Sequence, residues 1–297
     1  MRKSLITLLA GTALLLPLSV ACGSSAPAGD QGAPAPAGDR GQPALDIVGL
    51  TDDNKLVAFS SDNSTIRETG TIRGLSAGDT KLVGIDYRVQ DGKLYGVGDK
   101  GGLYTLEING QATSVGRLTI ALEGTSFGVD FNPAANALRV VSDTGQNLRQ
   151  SLANTPLAVT AADAKLSYPP VPPATAPAPP AAGIIGAAYT NNDADPNTAT
   201  TLYDLDATLD QIVIQSPANS GLLAPTGKLT VDAGADAGFD IYSVPGGGTI
   251  TGQLAFATLP VGGRYGLYKI TLFSGKAELV GSFDRKVVDV AIPLNQS

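Results

Sequence analysis

The feature that most constrains the fold of this sequence is a unit of about 40 residues that returns along the chain. Stretches beginning at residues 47, 82, 126, 184 and 236 each open with two residues, a glycine and an apolar strand. Each then returns through a second apolar strand of the type "LVAF", "LYGV" or "LRVV". One small sheet has two faces and can bury neither alone, so a repeat of this size indicates blades that cover one another.

The repeat predicts an all-β fold, a β-propeller-like ring of short antiparallel sheets with five blades, or six as the alternative. An open or two-sheet β-sandwich would also explain short strands separated by glycine, aspartate and asparagine turns. The stretch "KVVDVAIP" from residue 286 begins like a sixth unit and is cut short. We expect the strand around Val287 to Ile292 to close the ring, because it lies where the last blade must join the first.

The N-terminal segment has the order of a secretory signal, with a basic start, an apolar run over residues 4–18 and small residues after it. Cys22, the only cysteine, follows directly, and this pattern resembles the lipobox of bacterial lipoproteins. We expect residues 1–21 to be a signal peptide and Cys22 to carry a lipid. A cleaved signal with an incidental cysteine is the alternative.

Residues 22–44 are rich in Gly, Ala, Pro and Ser and are expected to be a lipid-anchored flexible linker. Residues 45–297 are expected to form the propeller-like domain, with a Pro-rich insertion at 168–183 that favours an extended loop. The predicted location is therefore the cell envelope, where the exported protein would be anchored to the outer side of a membrane.

The charge and the missing histidine exclude several function classes. The chain has 27 acidic and 20 basic residues, no histidine and a net charge of -7. An acidic chain lacks the electrostatic footprint of a nucleic-acid-binding protein. Without histidine, Ser-His-Asp and Cys-His catalysis and zinc sites of the His/Cys kind are excluded. No cofactor is predicted, and a monomer is expected.

Three aspartates share one place in the repeat, two residues after the glycine of their units: Asp86, Asp130 and Asp240. Positions i and i+2 of a strand face the same way, so innermost strands would point these carboxylates into a central channel. There they would form a candidate site for a hard cation. Alternatively, each carboxylate accepts backbone N–H groups and ties one blade to the next.

A second candidate site is the stretch "RVVSDTGQNLRQ" at 139–150, whose centre has turn chemistry and is expected at one rim. Arginine can hold a carboxylate or phosphate with two hydrogen bonds, and amide side chains can pair with sugars. The candidate binding residues are Arg139, Asp143, Gln146, Asn147 and Arg149. The alternative is an ordinary hairpin whose polar side chains brace the turn.

The loop "AAYTNNDADPN" at 187–197 is rich in oxygen-bearing side chains. Its spacing lacks the central glycine and terminal glutamate of an EF-hand. We expect a solvated loop there.

Several of these stretches carry a resemblance to a known family. "GIDYR", "LYGVGD", "FGVDFNPAANALRVVSDTGQNLR", "AAYTN", "TTLYDLD" and "GFDIY", spread over residues 47 to 290, resemble the bacterial domain-of-unknown-function family 4394. The resemblance implies a secreted, propeller-like β fold. It implies no activity, so no catalytic residues are carried over.

The expected function is that of a cell-envelope lipoprotein acting as a non-catalytic binding or scaffold module. Its expected partners are the membrane, through the lipid on Cys22, and a protein or a glycan. The alternative is a metal-dependent, calcium-type hydrolase of the lactonase-like propeller kind. Glutamate is scarce and recurs at no shared position of the repeat, which favours the binding interpretation.

Overall fold

The structure is a computed structural model that describes residues 44–76, 78–170, 172–173, 179–195 and 197–296. The expected signal peptide, Cys22 and nearly all of the expected linker lie outside the described residues. Parts of the Pro-rich insertion at 168–183 lie outside them as well. No helix among the described residues has the length and apolar character needed to cross a membrane.

Twenty β-strands and one short 3₁₀-helix, Ala218–Ser220, are the regular elements of the described chain. The strands form five sheets of four strands, and neighbouring strands within each sheet are antiparallel. Blade 1 contains β1 (Asp46–Thr51), β2 (Lys55–Ser60) and β3 (Asn63–Thr71). Blade 2 contains β4 (Leu82–Arg88), β5 (Lys93–Gly98), β6 (Gly102–Leu106) and β7 (Ala112–Arg117).

The remaining blades follow in chain order. Blade 3 contains β8 (Phe127–Asn132), β9 (Ala137–Ser142), β10 (Asn147–Ser151) and β11 (Ala161–Ala162). Blade 4 contains β12 (Ile184–Tyr189), β13 (Leu202–Asp206), β14 (Gln211–Gln215) and β15 (Leu223–Lys228). Blade 5 contains β16 (Gly238–Gly246), β17 (Thr249–Val261), β18 (Arg264–Ile270) and β19 (Ala277–Ser282). The last strand, β20 (Val287–Ala291), returns to blade 1.

The ring is closed by β20, which pairs with β1 so that Val48 lies opposite Ala291. The innermost strands are β4, β8, β12, β16 and β20, and each contacts the next around the circle, including β20 with β4. The chain therefore forms a five-blade β-propeller. The all-β propeller prediction is confirmed, whereas the six-blade and sandwich alternatives are wrong.

The hydrophobic core of the described chain is divided among the five interfaces between blades, with one cluster of buried apolar side chains at each. Successive residues of a strand point to opposite faces of its sheet. Ile47 therefore joins the cluster facing blade 5, while Val48 joins the cluster facing blade 2. Each blade thus buries both of its faces, which is the reason that this repeat needs a ring.

Glycines of the inner strands allow neighbouring backbones to approach closely. A Cβ atom on Gly128 would lie 2.5 Å from the Ala187 nitrogen, and one on Gly238 would lie 2.5 Å from the Asp289 Cα. Real Cβ atoms essentially never come this close to backbone. The glycine of the repeat therefore sets the spacing of the inner strands, and the aspartate two residues later faces the same channel.

Candidate functional site

The inner strands bring four carboxylates to the middle of the ring. Asp86, Asp130 and Asp240 come from β4, β8 and β16, as the repeat predicts. The fourth is Asp289, which occupies the same place in β20. Sequence reasoning missed it because Val287 stands where the other units have glycine, so the glycine-based motif did not extend to this strand.

The fifth inner strand, β12, has no carboxylate at this place, because the residue two positions after its Gly186 is Ala188. The four aspartates are all buried, with exposed fractions of 4–7%. One carboxylate oxygen from each of Asp86, Asp130 and Asp240 lies within 4.8 Å of the other two. These three aspartates line a cavity of about 20 Å³ together with side chains such as Tyr189 and Asn191.

Each of the four carboxylates accepts a hydrogen bond from the backbone of a neighbouring blade. The donors and acceptors are Phe131 N to Asp86 Oδ2 (2.7 Å), Tyr189 N to Asp130 Oδ1 (3.1 Å), Ile292 N to Asp240 Oδ2 (2.6 Å) and Ile85 N to Asp289 Oδ2 (2.7 Å). These bonds join blade 2 to 3, 3 to 4, 5 to 1 and 1 to 2. The four aspartates therefore tie blades together, and three of them, Asp86, Asp130 and Asp240, also line one cavity.

Burial shifts the protonation equilibria of this cluster. It raises the pKa of Asp86 and of Asp130 well above the usual range, and repulsion among the carboxylates adds to the effect. Burial raises the pKa of Asp240 to about 7, and burial also raises the pKa of Asp289. None of the described residues that line the cavity is basic. The negative charge must therefore be compensated by protons or by a bound cation.

The structure places the predicted rim residues mostly inside the protein. Arg139, on β9, is 2% exposed. Its guanidinium donates to Asp163 Oδ2 at 2.6 Å, to Asn147 Oδ1 at 2.7 Å and to Asn219 Oδ1 at 2.8 Å. These partners come from blade 3 and from the 3₁₀-helix that precedes β15. Arg139 therefore braces one blade against the next.

The other predicted rim residues are also bonded within the chain. Arg149 is half-buried and contacts both oxygens of Asp163 at 3.1 Å, while Asp143 accepts bonds from Thr125. Gln146 is buried and bonds to backbone atoms of residues 121 and 123. These contacts match the bracing alternative for Arg139, Gln146 and Asn147. A contact surface at Asp143 and Arg149, which retain some exposure, stays a prediction.

Asp204, on β13, is a buried carboxylate that sequence reasoning did not single out. It is 0% exposed, and neither of its oxygens has a hydrogen-bond partner among the described residues. Burial raises its pKa well above the usual range. Asp204 does not line the channel cavity, so it is a natural comparison for the channel aspartates.

A cleft of about 730 Å³ opens between the loop that joins β12 to β13 and the hairpin that joins β16 to β17. Its lining includes Thr190, Asn191, Asp193, Thr198, Thr201, Tyr203, Thr249, Gln253 and Phe273. Phe273 is 80% exposed, an unusual state for a large apolar side chain. None of the described lining residues is basic.

Hydrogen bonds hold the β12–β13 loop against blade 5. Asn191 N donates to Ser243 Oγ at 2.7 Å, and Asn192 exchanges side-chain bonds with the Ser243 backbone at 2.8 and 3.1 Å. The expectation of a solvated loop holds for Asp193 and Asp195, which are exposed, and is wrong for Tyr189 and Asn191, which are buried. The loop thus forms a fixed wall of the cleft.

The solved structures that this chain is similar to share little sequence with it. A protein from Lactobacillus plantarum is 17% identical with a TM-score of 0.34, covering 81% of this chain and 67% of that one. An auxiliary nutrient binding protein from Bacteroides ovatus is 14% identical with a TM-score of 0.37, covering 61% of this chain and 46% of that one. A protein of unknown function from Bacteroides thetaiotaomicron is 13% identical with a TM-score of 0.45, covering 82% and 60%.

Likenesses this distant carry no argument about function. No curated protein matches the sequence. The model of one protein family, described as a domain of unknown function, matches residues 55–291, which span most of the propeller. The resemblance noted from the repeat motifs is thereby confirmed, and the chain belongs to the family DUF4394.

Proposed function

We propose that this protein is a non-catalytic binding module whose ligand is a carbohydrate held in the cleft between blades 4 and 5. The observation that carries the proposal is the cleft itself. Its volume of about 730 Å³ falls in the range of small-molecule sites. Its walls come from a loop and a hairpin on a rigid ring, the arrangement in which recognition is usually built.

The chemistry of the lining suits an uncharged ligand with many hydroxyl groups. Thr201, Thr249 and Gln253 offer hydroxyl and amide groups that both donate and accept hydrogen bonds. Phe273, which is 80% exposed, offers an aromatic face for the apolar side of a sugar ring. The absence of a basic side chain among the described lining residues argues against an anionic ligand.

The dimensions of the channel support binding over the alternative of a metal-dependent hydrolase. The cavity between the channel aspartates has a volume of about 20 Å³, which suits one ion or water. A space of that size has no room for an ester or lactone between the carboxylates. The cleft has room for an organic ligand, but its aspartate, Asp193, is exposed and has no second carboxylate among the described lining residues.

We place the module in the cell envelope, on the outer side of a membrane, tethered through a lipid on Cys22. The support is the signal-like segment that ends at the only cysteine of the chain. Two acyl chains hold a protein on a membrane far better than one. A tether of about 20 residues would let the propeller face solvent while it samples glycans near the membrane.

A glycan array followed by calorimetry tests the proposal. Phe273→Ala should weaken binding of a glycan hit about fivefold, since the loss of one aromatic contact is worth about 1 kcal/mol. Adding Gln253→Ala to Phe273→Ala should lower the affinity for the glycan further. Val159→Ala is the matched control, because Val159 is 79% exposed and lies outside the cleft. If neither Phe273→Ala nor Gln253→Ala changes glycan binding, the cleft is not the binding site.

A further inference from the structure

We propose that the central channel binds one divalent cation of the calcium type through Asp86, Asp130 and Asp240. This site adjoins the carbohydrate cleft, with which it shares Asn191 as a lining residue, and it goes beyond the proposed function. Calcium prefers oxygen ligands, with carboxylates among the most common. The cation would join blades 2 and 3 to blade 5, which lies further along the chain.

The distances fit one ion. Oxygens that are no more than 4.8 Å apart can all lie within about 2.8 Å of one central point, close to the 2.3–2.6 Å of a calcium–oxygen bond. Calcium sites are flexible in geometry, so a shift of a few tenths of an ångström completes the contact. Magnesium needs shorter and more regular contacts, so calcium is the better match.

The hydrogen bonds prepare these carboxylates to be charged. Asp240, for example, accepts N–H groups from Ile292 at one oxygen and from Ile241 at the other. Backbone N–H donors favour the ionised form of a carboxylate, whereas burial and mutual repulsion oppose it. A cation in the cavity would offset both the cost of burial and the mutual repulsion, since it compensates the charge that the described lining residues leave unbalanced.

A second observation points to a ligand in the same cavity. Asn191 lines it and is 5% exposed, yet its Nδ2 atom has no hydrogen-bond partner among the described residues. Asn191 is held there with a backbone φ of 85°, a conformation that few residues other than glycine adopt. Buried amide groups are almost always bonded. A water molecule coordinated to the cation would supply the missing acceptor.

Metal analysis and calcium titration of the purified full-length protein test the site. After dialysis against a chelator, the protein should take up one equivalent of calcium, and its melting temperature should rise by several degrees at saturation. Asp130→Asn should lower calcium affinity at least tenfold, while its melting temperature without calcium stays equal or rises, because one repulsive charge is gone. Asp240→Asn serves as a second variant should Asp130→Asn fail to fold.

Asp204→Asn is the matched control, since it changes an equally buried carboxylate outside the cavity and should bind calcium like the parent. The proposal is overturned if the parent neither takes up calcium at millimolar concentration nor changes its melting temperature. The channel carboxylates would then be held by protons alone. Calcium binding that Asp130→Asn and Asp240→Asn leave unchanged would overturn it too, because the ion would lie elsewhere.

Discussion

Replacing Arg139 by methionine should destabilise the propeller strongly, because this change removes a buried cation. Methionine is chosen because its unbranched side chain keeps most of the packing, so the loss reports mainly on the guanidinium. The guanidinium donates to Asp163, Asn147 and Asn219 at 2.6–2.8 Å, and the side chains of Arg139 and Asp163 are 2% and 8% exposed. Among the described residues, Arg149 is then the one remaining partner of the Asp163 carboxylate. The two asparagine oxygens lose the same donor.

The expected magnitude follows from this geometry. Removing one partner of a buried ion pair typically costs about 3–5 kcal/mol. We expect about 3 kcal/mol here, because Arg149 still contacts Asp163. Arg149→Met is the matched control: it changes the same residue type on the same carboxylate, but its side chain is 36% exposed. Ion pairs of that exposure contribute about 1 kcal/mol or less.

Equilibrium unfolding in urea, followed by circular dichroism, measures both variants. The free energy of unfolding should fall by about 3 kcal/mol for Arg139→Met and by about 1 kcal/mol or less for Arg149→Met, with similar m-values. Equal losses for the two variants would refute the reasoning. So would a stable Arg139→Met that has lost affinity for a partner, because that result would assign Arg139 to a binding surface.

Four further predictions concern the ring, its inner strands, its channel and its anchor. Deleting residues 286–297 removes β20, so thermal unfolding should lose its cooperativity; an unchanged melting curve would mean that closure by β20 contributes little. Gly238→Ala should lower the free energy of unfolding by about 2 kcal/mol or more, because the added Cβ clashes with the backbone of β20. Gly252→Ala, with open space around its Cβ position, should leave the free energy of unfolding nearly unchanged. Equal melting temperatures for the two variants would contradict the close approach of the inner strands. Burial raises the pKa of Asp240 to about 7 in the folded state, above its unfolded value, so this group binds more protons when folded and its contribution to stability falls as pH rises towards and through 7. In chelator the melting temperature should thus be higher at pH 5 than at pH 8, and the opposite order would show that the hydrogen bonds outweigh burial. Cys22→Ala should move the protein from the membrane fraction to the soluble fraction, and a variant that remains as membrane-bound as the parent would place the anchor elsewhere.

The repeat by itself determined the architecture. Glycine, aspartate and asparagine turns between short β-branched runs specify strands locally, and the returning unit predicts five sheets, with six as the alternative that the structure excludes. The same periodicity placed Asp86, Asp130 and Asp240 on one face of the inner strands. Even ring closure could be inferred, because the stretch from 286 looks like the start of a unit that has no return strand. These features depend on residues that are close together in the chain.

Only the tertiary structure decided which side chains meet. Asp289 joins the channel because β20 returns from the end of the chain to blade 1, and no local motif marked it. Arg139 is buried because Asp163 and Asn219, from distant stretches, accept its hydrogen bonds. The cleft exists because the loop after β12 bonds to Ser243 of blade 5. Local propensity is set by near neighbours, whereas burial, pairing and cavities arise from contacts between blades, whose partners the sequence order does not reveal.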